Sequence, residues 1–226
     1  MRARHWFWLD QGPPNSHERA GDLVAFALAI FGVAIVLRLT VIMIGETYSS
    51  PRLLELERLA ISLSDTGQYG NAFGSSSGPT AHFAPIYPLI LSGVYKVFGS
   101  GIAGEFVRQS LNATFIALHF ALLPFIARAC GISSRIGLFA GLLGALVPFH
   151  FWTELRGQET PLAALSLTCL CLLFFNFLNK PIHSARTVGV FGISWGLGVL
   201  VTPSLLPVIF GLLFLRFLKN RRKGFR

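Results

Sequence analysis

The residues that could carry out acid–base or phosphate chemistry are concentrated in one polar stretch, residues 45–104. A carboxylate can take a proton from an attacking hydroxyl, and a cation can stabilise a departing phosphate. One further cation lies in a second polar segment near residue 156. In chain order, the candidate carboxylates and cations are Glu55, Glu57, Arg58, His82, Lys96 and Arg156.

Glu55 and Glu57 lie in a short amphipathic segment, where they have different surroundings. At about 100° per residue, Leu53, Leu56, Leu59, Ala60 and Leu63 share one face, and Glu55, Arg58 and Ser62 share the opposite, polar face. The alternative to a catalytic role for Glu55 is an i,i+3 surface ion pair with Arg58, worth a few tenths of a kcal/mol. Glu57 falls inside the apolar arc, where a carboxylate requires a partner. A misjudged helix phase is the alternative explanation for its position.

The remaining candidates also have simpler explanations. Lys96 and Arg156 could extend their charged ends to the membrane interface, and His82 could be a packed or solvated loop residue. Tyr87 and Tyr95 fit either an aromatic belt at the interface or the wall of a groove for a lipid chain.

Composition places these residues in a membrane protein. The chain has 226 residues, of which 53% are hydrophobic and 13% charged, and its mean hydropathy is +0.60. This excludes a disordered, collagen-like or disulfide-rich chain. The three cysteines lie in or beside apolar segments without metal-ligand spacing, so we interpret them as small buried hydrophobes. The charge of +9 follows the positive-inside rule rather than a nucleic-acid surface, because five of the last eight residues are basic directly after an apolar block.

The apolar segments predict an all-α polytopic protein with about six transmembrane helices. Residues 1–22 form an N-terminal arm, 45–104 form a long outer loop with interfacial helices at 53–64 and 86–98, and 219–226 form a basic tail. The last apolar block is too long for one crossing, so we expect a hairpin that turns near Thr202. The predicted spans are 23–44, 106–127, 136–151, 161–178 and the two halves of 187–218.

Charge gives this arrangement an orientation. The basic arm, the segments around Arg128 and Lys180, and the basic tail lie on the cytoplasmic side, so both termini are predicted to be cytoplasmic. The long loop then lies outside, and acid–base chemistry is expected at the extracytoplasmic face. Within the spans, Arg38 is expected to extend to the headgroups, and His119 and His150 to hydrogen-bond between helices.

The long loop resembles the first extracytoplasmic loop of GT-C fold glycosyltransferases. The resemblance rests on an acid before an Ala-x-Ser-Leu helix, a Gly-aromatic turn, a Pro-x-Tyr-Pro-Leu entry to a helix and a Phe-Gly exit. These motifs are most similar to the protein O-mannosyltransferase and aminoarabinose-transferase-like group. Later segments around Glu154 and Thr202 agree, so the resemblance runs from about residue 23 to 218. The motif residues are 55–63, 67–69, 78–89 and 95–99.

The resemblance implies transfer of a sugar from a polyprenyl-phosphate donor to an acceptor on the outer face. Glu55 matches the loop acid of the family and Glu57 is its rival, with Arg58 and Lys96 near the phosphate. The donor lipid is a substrate; no cofactor is assigned, and the sequence leaves a requirement for a divalent metal open.

The resemblance covers an N-terminal portion of the family's architecture, so a second subunit or a C-terminal half is an expected partner beside membrane lipid. The alternative is a non-catalytic or truncated homologue that binds lipid-linked sugar or a partner subunit. A small transporter is a weaker alternative, because the polar residues gather in an outer loop.

Overall fold

The computed structural model describes residues 20–51, 53–74, 77–147, 154–155, 159–178 and 184–223. In this part of the chain the regular structure is helical, with a lone bridge between Gly70 and Pro79. The predicted all-α class is therefore confirmed. The helices are α1 (Ala20–Ile44), α2 (Glu55–Thr66), α3 (Ile86–Phe98), α4 (Ile102–Ala121), α5 (Leu123–Ala129), α6 (Ser134–Leu146), α7 (Thr160–Leu178), α8 (Ala185–Val201), a 3-10 turn (Pro203–Leu205) and α9 (Leu206–Lys223).

Three of the described helical segments are long and apolar enough to cross a membrane. They are Gly21–Ile44, Ile102–Ala129, which joins α4 to α5, and Thr160–Leu178. The structure therefore does not support six spans: α6 has 13 residues, about 20 Å at 1.5 Å per residue, against a hydrocarbon core of about 30 Å. Helix α8 and the apolar part of α9 are also shorter than 18 residues.

Helices α1, α4 and α6 pack around small residues. Ala34, Ala117 and Ala145, one from each helix, are fully buried against one another. At Gly137 of α6, an added Cβ would lie 2.5 Å from the Cα of Pro124, so a side chain there would force α5 and α6 apart. Small residues allow helix backbones to approach closely in this way, which is a common basis of packing between membrane helices.

Helices α2 and α3 pack on each other and on α4 at the end of the bundle where α1 ends and α4 begins, which we call the loop end. Their shared core contains Leu56, Leu59, Tyr87, Leu91 and Tyr95. Helix α3 has the bounds that the sequence predicts, whereas α2 starts two residues later than predicted and ends where Gly67 adopts φ +71°. A left-handed residue of this kind closes a helix most cheaply when it is glycine.

The buried face of α2 contains Leu56, Leu59 and Ala60, as predicted, and differs from the prediction at two positions. Ser62 was assigned to the polar face but is buried, and its hydroxyl donates to the carbonyl oxygen of Gln68. Leu53, assigned to the apolar face, is exposed because it precedes the first residue of the helix. The hydrogen bonds of Ser62 show why periodicity misplaces it: a short polar side chain can be buried when loop backbone supplies its partner.

The last apolar block is broken at Thr202, as the sequence predicts. Thr202 has an extended backbone between α8 and the 3-10 turn, and α9 follows directly. Trp195 of α8 is buried in a cluster with Leu170 of α7 and Leu205, so α7, α8 and the 3-10 turn pack together.

Within α4, His119 hydrogen-bonds through Nδ1 to the Thr168 hydroxyl of α7 at 2.6 Å, which confirms the predicted interhelical role. His150 lies outside the described residues.

Candidate functional site

A buried guanidinium at the loop end holds two carboxylates from different elements. Arg108, on the second turn of α4, donates from Nε to Glu105 Oε2 at 2.8 Å and from Nη2 to Glu105 Oε1 at 2.7 Å. This two-pronged contact is the strongest common arginine–carboxylate geometry. Arg108 and Glu105 are three residues apart on one helix, so the pair forms as soon as α4 forms.

The second carboxylate is Glu57, which comes from helix α2 of the loop. Its Oε1 lies 3.5 Å from Arg108 Nη1, and both residues are almost fully buried, at 1% and 2% exposure. Arg108 Nη1 donates no hydrogen bond to any residue that the structure describes. The ionic contact with Glu57 therefore joins α2 to α4. Nη1 of Arg108 faces the Glu57 carboxylate and keeps its capacity to donate a hydrogen bond.

Gln109 hydrogen-bonds to Glu105 and links this cluster to Thr47, just after the end of α1. Gln109 Nε2 donates to Glu105 Oε1 at 2.6 Å and to the Thr47 carbonyl oxygen at 3.2 Å, and its Oε1 accepts from the Thr47 hydroxyl at 2.5 Å. Each carboxylate oxygen of Glu105 is thus hydrogen-bonded. Buried charge of this kind is tolerated only when its polar atoms are satisfied.

Two tyrosines of α3 border the cluster. The Tyr87 hydroxyl donates to Asn112 Oδ1 at 3.3 Å, and Asn112 Nδ2 reaches the Leu155 carbonyl oxygen at 3.5 Å. Burial raises the pKa of Tyr87 to about 12, although nearby Arg108 opposes this and Glu57 adds to it. Burial also raises the pKa of Tyr95, with Glu57 contributing. Both phenols therefore remain neutral hydrogen-bond donors at neutral pH.

A second buried ion pair lies deeper in the bundle, and it corrects the expectation for Arg38. Arg38 is fully buried rather than extended to the headgroups, with its Nη2 2.6 Å from Glu154 Oε2. Its Nη1 donates to the carbonyl oxygens of Ala34 and Ala145, and its Cζ lies 5.3 Å from the centre of the Phe120 ring. The prediction was wrong because it considered α1 alone, whereas Glu154 and α6 supply partners inside the protein.

The predicted site residues occupy different places. Glu57 and Tyr87 lie in the buried cluster, Glu55 is half-buried at the first position of α2, and Arg58 is exposed. His82 is exposed, with its ring 4.9 Å from that of Phe83 and near Phe73. Lys96 is exposed on α3, next to Val97, which is 73% exposed. Arg156 lies outside the described residues.

Sequence reasoning missed Arg108, Gln109 and Asn112 because they fall inside a predicted span. A signal was present: Glu105, Arg108, Gln109 and Asn112 follow the i, i+3, i+4, i+7 spacing of one helix face. Polar residues on one face of an apolar helix point to the interior of a bundle and mark functional sites by default. Arg38 and Glu154 are 116 residues apart, so no local sequence pattern links them.

The chemistry that this arrangement can perform is acid–base and anion-binding chemistry. A carboxylate and a guanidinium face each other beside neutral phenols, which are the groups needed to accept a proton and to stabilise an anionic leaving group. In the described part of the chain, no group of three or more His, Cys, Asp or Glu side chains is placed to hold a metal ion.

The chain was compared with protein-family models, curated proteins and solved structures. No protein-family model matches it, and neither a curated protein nor a solved structure matches it. The class that the fold defines is a helical protein in which three described segments could cross a membrane.

Proposed function

We propose that this chain is a membrane glycosyltransferase module of the GT-C type, which transfers a sugar from a polyprenyl-phosphate donor to an acceptor on the extracytoplasmic face. The observation that carries the proposal is the contact between Glu57 of the loop and Arg108 of α4, 3.5 Å apart. The loop motifs that resemble the GT-C group contribute Glu57 and Tyr87, and both lie against α4.

The reaction divides between these two groups. Glu57 accepts the proton of the attacking acceptor hydroxyl, and Arg108 Nη1 donates to the phosphate oxygen that gains charge as the glycosidic bond breaks. Glu57 is preferred to Glu55 because residues two apart on a helix point about 200° away from each other. Only the face of α2 that carries Glu57 meets a buried guanidinium among the described residues.

The proposed topology has six crossings with both termini in the cytoplasm. It is supported by the break at Thr202 and by the basic residues near the ends of the helices, such as Arg128, Arg135 and Arg186. Shorter helices such as α6 would cross where neighbouring helices thin the bilayer.

The test compares Glu57→Gln with Glu55→Gln. Membranes that contain each variant are given polyprenyl-phosphate mannose or polyprenyl-phosphate aminoarabinose, and release of polyprenyl phosphate is followed. We expect Glu57→Gln to lower release by about 100-fold or more, since a general base contributes that much, and Glu55→Gln to stay near wild type. Wild-type release by Glu57→Gln, at equal amounts of folded protein, would remove Glu57 from the reaction.

A second candidate function is a non-catalytic membrane component that binds lipid-linked sugar or a partner subunit. The burial of the cluster favours it, because Glu57, Glu105 and Arg108 are each less than 5% exposed, as expected for a structural ion pair. This candidate predicts that the purified chain binds the donor lipid but releases no polyprenyl phosphate until a second chain is added.

A further inference from the structure

A groove lies at the end of the bundle where α1 begins and α5 ends, which we call the far end. Its volume is about 460 Å³, within the range of ligand sites. Its lining comes from the start of α1, from α5 and the residue before it, and from the second half of α7. The lining residues are Leu23, Leu122, Phe125, Arg128, Ala129, Leu172 and Asn176.

The groove has an apolar part and a polar end. The α4–α5 segment and α7 run in the same direction here. His119, near the end of α4, contacts Thr168 of α7, and the lining then continues along both segments, to Arg128 on one and to Asn176 on the other. Arg128 and Asn176 therefore lie at the same end, beyond the apolar side chains. This is the polarity of an amphiphile, with an acyl chain along the apolar wall and a headgroup beside the arginine.

The charged residues at the far end favour an anionic lipid headgroup. Among the described residues toward this end are the cations Arg128, Arg135 and Arg186 and one carboxylate, Asp22. A positive balance attracts anionic lipid, and arginine matches the geometry of a phosphate better than lysine does. Asn176 is exposed and adds a hydrogen-bond donor at the same end.

We propose that this groove binds an anionic phospholipid, with one acyl chain along Leu122, Phe125 and Leu172 and its phosphate on Arg128. The site is separate from the Glu57–Arg108 contact, which lies at the loop end, and it does not depend on the proposed transfer reaction. A bound anionic lipid would join α1, α5 and α7 at the far end of the bundle.

The experiment titrates the purified full chain in detergent with dioleoyl phosphatidylglycerol or dioleoyl phosphatidylcholine and counts retained lipids by native mass spectrometry. We expect the wild type to retain phosphatidylglycerol about fivefold more tightly, which is the effect of one basic residue near an anionic lipid. Arg128→Gln removes this preference. Arg135→Gln, which changes an exposed arginine outside the lining, is the matched control and keeps it.

Leu172→Trp provides a second variant that leaves every charge in place. It narrows the apolar part of the groove, so retention of both lipids falls while Arg128 is unchanged. Equal retention of the two lipids by the wild type, a preference that survives Arg128→Gln, or unaltered binding to Leu172→Trp would each overturn the proposal.

Discussion

Among the described residues two arginines are buried, and they differ in what holds them. Arg38 is enclosed by α1, α4, α6 and the 154–155 segment, where it meets Glu154, two backbone carbonyls and the Phe120 ring. Arg108 is shared between its own helix and the loop, with Glu105 on two nitrogens and Glu57 facing the third. The first arginine joins helices of the bundle, and the second joins the bundle to the loop.

This difference suggests different roles. The partners of Arg38 come from the protein interior, so its ion pair fixes the position of the 154–155 segment. Arg108 adjoins loop residues that carry the resemblance to glycosyltransferases, and its Nη1 donates no hydrogen bond among the described residues. A guanidinium nitrogen with donor capacity beside a carboxylate is suited to bind and release an anion. The comparison fits a mainly structural role for Arg38 and the proposed anion-binding role for Arg108.

The largest expected effect on stability comes from Glu154→Gln. This change removes the carboxylate that pairs with a fully buried guanidinium, which costs about 3–5 kcal/mol in comparable cases. The free energy of unfolding in detergent measures it. Glu159→Gln, a half-buried glutamate nearby in sequence, is the control. If both variants lost the same stability, the Arg38–Glu154 pair would not hold the bundle.

A smaller loss of stability is expected from Glu57→Gln. Arg108 keeps both hydrogen bonds to Glu105, so the cost is about 1–3 kcal/mol, that of leaving one buried polar group without its partner. The same unfolding measurement applies, with Glu55→Gln as the matched control on α2. A loss of stability as large as that of Glu154→Gln would mean that the ion pairs of Arg38 and Arg108 stabilise the fold equally.

Tyr87→Phe tests the link between the two regions. The Tyr87 hydroxyl reaches Asn112, which reaches the carbonyl oxygen of Leu155, the residue after Glu154. Loss of this hydrogen bond is expected to cost about 1 kcal/mol. Tyr48→Phe is the control, since the Tyr48 ring packs edge-on against Phe106. Equal melting temperatures for wild type and Tyr87→Phe would show that the link contributes nothing to stability.

The smallest expected effect is spectroscopic and concerns pH. The pKa of Tyr87 is raised to about 12, so the stability it contributes is present below about pH 10 and is lost as pH rises through 12. At about pH 11 its phenol is still mostly protonated. Tyr87→Phe should therefore leave the tyrosinate absorbance at that pH almost unchanged. Loss of a quarter of the absorbance, as expected if all four tyrosines ionised alike, would contradict this.

Local patterns predicted the fold better than they predicted the site. Apolar runs gave the helix class, the bounds of α3 and the break at Thr202, because each depends on neighbouring residues. The inward position of Glu57 was also visible from its helical phase. Arg108 carried a local signal through Glu105, three residues earlier. Arg38 and Glu154 could not be paired from sequence, since their contact depends on how distant helices pack.

The described helices do not support the six predicted spans, for a related reason. The prediction counted apolar residues along the chain, whereas the described helices α6 and α8 have 13 and 17 residues. Composition shows which segments avoid water, but helix length depends on where the backbone turns. Residues such as Val147, which has an extended backbone after α6, set that limit.

The most direct test measures stability and sugar transfer together in Glu57→Gln and Glu154→Gln. We expect opposite patterns: Glu57→Gln keeps most of its stability and loses polyprenyl phosphate release, whereas Glu154→Gln loses more stability and keeps its release per folded molecule. The contradictory result is a Glu57→Gln protein that releases polyprenyl phosphate at the wild-type rate while Glu154→Gln, fully folded, does not.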